Sequence, residues 1–181
     1  MRWIYILVAA MISLAACNGN QNTSTDEQIA VVEESPEKER KTPEFTGTID
    51  SARLKTIMTH YFTVKNALID GNANAAALTG KEAFKFMGTE QDEVLRNISE
   101  NFKNIGETEE IETQRKFFYP LSENLYAVTI KVKPDTATLY KQYCPMAFDD
   151  TGAWWISDDE EVVNPYFGEE MLHCGMVQKQ W

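Results

Sequence analysis

Positive charge is what this 181-residue chain lacks most: 17 Lys and Arg stand against 28 Asp and Glu, for a formal net charge of -11. Phosphate backbones are bound through clustered cations, so this balance argues against a nucleic-acid partner. An acidic surface attracts cations, although charge of this size also simply keeps a protein soluble. Histidine is nearly absent, with only His60 and His173. The chain shows no nucleophile with a partnered base and no carboxylate pair within a supporting motif, so nothing in it argues for an enzyme. Cysteine is scarce too, at three residues, and the placement of those three carries most of the information.

Long apolar runs are missing except at the start. Met1-Arg2 gives a basic beginning, Trp3 to Ile12 an apolar core, and Leu14-Ala15-Ala16-Cys17 a small-residue cleavage site ending in cysteine. The run is too short to cross a bilayer and ends at a processing site, which is the pattern of a bacterial lipoprotein signal. Residues 1–17 are therefore expected to be signal peptide and lipobox, with Cys17 as the lipidated residue that attaches the protein to a membrane. Residues 18–47 are rich in Asn, Gln, Ser, Thr, Glu, Lys and Pro, with Ile29 to Val32 and Phe45 as apolar interruptions. Such a segment buries too little to offset its ordering entropy, and it is expected to be a flexible tether reaching roughly 30 Å.

About 135 residues remain, enough for one domain with a real core. Leu54, Ile57, Met58, Tyr61, Phe62 and Leu68 recur at helical spacing and end at the turn Asp70-Gly71-Asn72. Ala73, Ala76, Ala77, Phe84 and Met87 form a second stripe, whose small residues allow close approach of a neighbouring helix. Gly88 can stop that helix, and Thr89 with Asp92 suggests a capping box for the next. Leu95, Ile98, Phe102 and Ile105 make a third stripe. The fourth runs through Ile111, Phe118, Leu121, Leu125, Val128 and Val132, and its register continues across Pro120, predicting one kinked helix. Short connections make the four antiparallel neighbours, so 48–134 reads as a mainly α, up-and-down four-helix bundle. His60 falls among core positions and reads as structural.

Residues 135–181 read as a small β-containing appendage rich in Cys and Met. Leu139 to Cys144 and Ala153 to Ser157 are expected strands. Ser157-Asp158-Asp159-Glu160 fits a capping box that would start a helical turn. Trp154 and Trp155 are placed to anchor the appendage on the bundle, and Asn164-Pro165 with Gly168 supplies turns. Those turns would bring Met171-Leu172-His173-Cys174-Gly175-Met176 back toward Cys144-Pro145-Met146. Thiolate and thioether sulfurs are soft donors and favour Cu(I) or Ag(I) over harder cations. Cys144, Met146, Met171 and Cys174 are the candidate ligands, with His173 and Met176 secondary. The spacing leaves a second reading open, since a Cys144–Cys174 disulfide would stabilise the domain by roughly 3.5–4 kcal/mol in the chain-entropy account. On that reading the domain is a disulfide-stapled protein-interaction module, with its Met and Trp residues forming a docking surface.

Lys65-Asn66-Ala67-Leu68, Leu121-Ser122, Tyr143-Cys144-Pro145-Met146-Ala147, Trp155-Ile156-Ser157, Asn164-Pro165-Tyr166-Phe167-Gly168 and Met171 through Gly175 together resemble an envelope domain of Gram-negative bacteria. That family occurs as stand-alone lipoproteins and fused to periplasmic adaptor subunits of copper and silver efflux systems. The resemblance spans most of Ile49 to Val177. It implies heavy-metal handling in the cell envelope, with an efflux adaptor or a copper chaperone as the partner and copper(I) or silver(I) as the bound ion.

Overall fold

The computed structural model describes residues 42–134 and 138–181. The leader, Cys17 and the tether up to residue 41 lie outside the described residues. Four long helices are followed by a three-stranded antiparallel sheet. The helices are α1 (Ser51–Ile69), α2 (Ala73–Met87), α3 (Glu93–Gly106) and α4 (Ile111–Lys131). The strands are β1 (Tyr140–Cys144), β2 (Ala153–Ser157) and β3 (Met176–Gln180).

Side-chain capping sets the first three helix starts. Asp50 accepts from the Arg53 N–H at 2.9 Å, and Asn72 accepts from that of Ala75 at 3.0 Å. Asp92 accepts from the N–H groups of Val94 (2.9 Å) and Leu95 (3.1 Å). The expected cap at Thr89 is thus corrected: Asp92 satisfies the orphan donors of α3 itself, and the preceding Glu90 pairs with Arg53. Gly88, at φ 66°, ends α2 as expected. The α4 helix runs unbroken through Pro120.

The apolar stripes meet in one core, with Leu54, Ile57, Tyr61, Leu68, Ile98, Phe102, Phe118 and Leu125 fully buried. Phe84, assigned to the second stripe, is instead 38% exposed and lies under the Lys103 ammonium. The inward line of α2 is made of small residues, and this lets α3 approach closely. A Cβ added at Gly80 would lie 2.6 Å from the Phe102 carbonyl oxygen and 2.8 Å from the Gly106 nitrogen. Phe45 is buried as well, and its carbonyl accepts from the Lys131 ammonium at 2.9 Å. The chain therefore docks on the bundle before residue 47, because the one aromatic in that polar stretch covers the end of α4.

The strand order is β2-β1-β3. Register pairs Gln142 with Trp155 and Cys144 with Ala153, so these four side chains share one face, while Tyr143 and Trp154 share the other. The Trp154 face lies on the bundle. Its ring meets Tyr126 edge-on at 5.0 Å, and the Ile156 N–H donates to the Tyr61 hydroxyl at 3.0 Å. Tyr61 is hydrogen-bonded in turn to Ser122 at 2.7 Å. Burial pushes the Tyr61 and Tyr166 phenols well above the usual tyrosine range.

The expected helical turn after Ser157 does not form. Ser157 Oγ accepts from the Asp159 N–H, and Asp159 accepts from the Glu161 N–H, each a tight local turn. Such side-chain bonds compete with helix formation, and the carbonyls of 159–161 are taken by Gln142. β3 was not expected from the sequence. All five of its residues are exposed, so it carries no apolar alternation.

Candidate metal centre

The sheet face opposite the bundle carries Cys144 at the end of its central strand. Cys144 is fully buried, and Cys174, 30 residues later, is half-buried. Their sulfurs stand 2.9 Å apart. Residues 158–174 cover this face, and the turn motif positions them. Asn164 donates from its side chain to the Cys174 carbonyl at 2.9 Å, and its N–H donates to the Leu172 carbonyl at 2.7 Å. Asn164 Oδ1 accepts from the Tyr166 N–H at 2.8 Å, and the Tyr166 hydroxyl donates to the Trp154 carbonyl at 2.8 Å. Below the loop, Arg115 of α4 donates to the carbonyls of Pro165 (3.1 Å) and Leu68 (3.2 Å).

Glycine is required where the loop presses on the sheet. Gly175 has φ 145°, and a Cβ there would lie 2.8 Å from the Tyr143 carbonyl oxygen and 3.2 Å from the Trp155 ring. Cys174 is seated by a hydrogen bond from its own N–H to the Met171 carbonyl at 3.0 Å. The loss of hydration and the adjacent Cys144 sulfur push its thiol up to about 11, while the Met146 N–H, which donates to that sulfur, acts the other way.

The six candidate ligands fall into groups. Cys144 and Cys174 are together. Met146 leaves β1 two residues after Cys144 and is 46% exposed, with its backbone beside the Cys174 sulfur. Met171 is partly buried one turn before Cys174. His173 is exposed, and its Nδ1 lies 3.1 Å from the Val162 carbonyl, which leaves Nε2 as its free donor site. Met176 pairs with Tyr143 across the sheet and so belongs to the face opposite Cys144. Among the described residues no three His, Cys, Asp or Glu side chains are grouped as a metal site. A metal at this pair would therefore depend on two thiolates with thioether support.

Several positioning residues went unseen in the sequence. Gln142, fully buried on the Cys144 face, donates from Nε2 to the carbonyls of Asp159 (2.9 Å), Glu160 (3.1 Å) and Glu161 (3.0 Å). A polar side chain in register with Cys144 on an otherwise apolar face was the available signal. Lys65, 5% exposed, donates to Asp158 Oδ1 at 3.0 Å and to Ser157 Oγ at 3.3 Å, fastening the start of the same loop to α1. A cleft of about 480 Å³ opens beside that pair, lined by Lys65, Asn66, Asp70, Asp158 and Asp159 among others; none of the sulfur residues lines it.

The fold and site together define a helical-bundle domain with a sulfur-bearing β appendage. Residues 57–137 match a family model described as a protein of unknown function, DUF3347. The matched stretch covers most of the bundle and ends before Cys144. No curated protein and no solved structure matches the chain.

Proposed function

We propose that this protein is a membrane-tethered binding protein for Cu(I) or Ag(I), held in the bacterial cell envelope through Cys17 and serving heavy-metal tolerance or efflux. The observation that carries the reading is the convergence of the Cys144 and Cys174 sulfurs to 2.9 Å from positions 30 apart in the chain. The exposure of Met146 weighs against the plain alternative for that residue. A methionine that merely filled core space would be covered, whereas this one is exposed next to the thiol pair, where it can supply a soft donor. Cys144 and Cys174 act as thiolates in this reading, and Met146 and Met171 complete the sulfur set. A copper chaperone or an efflux adaptor is the partner that such cargo calls for. The role is carriage and hand-over of an ion, not catalysis.

Competition for Cu(I) between the fully reduced protein and a chromophoric chelator tests the proposal. The wild type should withdraw one Cu(I) per chain, Met146→Ala and Met171→Ala should compete less well while remaining folded, and Cys144→Ala should compete poorly. No withdrawal by the folded, reduced wild type would refute it and leave the disulfide-stapled interaction module as the better account.

A further inference from the structure

We propose that Cys144 and Cys174 form a redox gate on the ion site: a dithiol that takes the metal and a disulfide that excludes it, interconverted by exchange with a protein or small-molecule disulfide. This rests on the metal-binding reading above and adds its regulation. Three observations carry it.

The first is proximity. The two sulfurs lie 2.9 Å apart, within about 1 Å of disulfide bonding distance, so closure needs only a small shift. The second is asymmetry. Cys144 is fully buried at the end of the central strand, whereas Cys174 is half-buried on the covering loop. An incoming disulfide therefore reaches Cys174 and not Cys144. The third is the seating of the loop. Cys174 is held through Asn164 and Met171 by single hydrogen bonds to backbone, while Cys144 ends the central strand, in register with Ala153 of β2. The motion that closes or opens the gate thus falls to Cys174.

The exchange balances without any other reagent. The Cys174 thiolate attacks one sulfur of R–S–S–R; a Cys174–S–S–R bond forms and RS⁻ leaves. The Cys144 thiolate then attacks the Cys174 sulfur, the bond to R breaks, and the second RS⁻ leaves. The two cysteines lose two electrons, the external disulfide gains them, and the two thiol protons end on the two RSH. Metal binding needs both sulfurs as thiolates, and the disulfide has neither, so the two forms exclude each other.

The test uses the full chain with Cys17→Ser as the background called wild type here, so that Cys144 and Cys174 are its two thiols, and oxidised glutathione as the disulfide. Metal-free reduced wild type should lose both thiols with no lasting glutathione adduct. Cys144→Ala should hold one glutathione on Cys174, detected by mass. Cys174→Ala should form its adduct at least roughly tenfold more slowly, because the remaining thiol is buried. The oxidised wild type should bind no Cu(I), and reduction should restore binding. A faster adduct on Cys144 than on Cys174, a persistent adduct on the wild type, or equal Cu(I) binding by both redox forms would overturn the gate. If the reduced protein binds no Cu(I), the gate falls with the metal reading, whereas intact binding with no exchange refutes the gate alone.

Discussion

Gln142→Met tests how the covering loop is held over the cysteine pair. Methionine keeps the length of the side chain and removes both donors and the acceptor. The amide has two hydrogens for three carbonyls at 2.9–3.1 Å, which amounts to two full bonds. At about 0.5–1.5 kcal/mol net for each bond, their loss costs roughly 1–3 kcal/mol. Two features reduce this figure. Gln142 Oε1 has no partner among the described residues, so removing it relieves a buried unpaired acceptor. Residues 159–161 are exposed, so their carbonyls can turn to water once released. A loss of about 1–2 kcal/mol is therefore expected, read from urea unfolding of the reduced protein with an unchanged m-value. The larger effect should fall on chemistry: with the loop unlatched, alkylation of Cys144 in the folded protein should accelerate. Unchanged stability together with unchanged thiol reactivity would refute the latch.

Gly80→Ala should destabilise by about 1–3 kcal/mol, because its Cβ would press on backbone of α3 that cannot move aside alone; thermal unfolding checks this. Asp149→Gly should stabilise by up to about 1 kcal/mol, since Asp149 is exposed at φ 56° inside a left-handed turn, and relief of that strain exceeds the added entropy of glycine in the unfolded chain. Stability should be full below the ordinary tyrosine value of 10.0 and fall as pH rises toward the raised folded values of Tyr61 and Tyr166, because the unfolded chain releases those protons first. Circular dichroism and tyrosinate absorbance should then change together, and phenolate forming well before unfolding would count against the buried placement of these rings.

The helices were legible because each turns an apolar stripe of three or four residues per two turns toward one core, a signal that survives without tertiary information. Long-range contacts escaped it. Phe45 looked like a stray aromatic in a polar stretch, and only the end of α4 explains its burial. β3 pairs through backbone alone and exposes Met176 to Gln180, so its side chains carry no strand pattern. The Ser157 to Glu160 motif satisfied the spacing of a capping box, yet the same side chains make local turns when a neighbour such as Gln142 claims the carbonyls. At the site, soft sulfur chemistry singles out Cys144 and Cys174 in the sequence, and the fold brings their sulfurs to 2.9 Å. Strand register then set Met176 on the other face. Arg115 acts on the Pro165 carbonyl, 50 residues away, and nothing local in the chain announced it.

The most direct test of the account is the first coordination shell of the ion. X-ray absorption on the reduced protein loaded with one Cu(I) should give a shell made of sulfur alone, with one sulfur fewer in folded Met146→Ala or Met171→Ala. A shell containing nitrogen or oxygen donors, or a sulfur count unchanged by both methionine substitutions, would contradict the thiolate and thioether site.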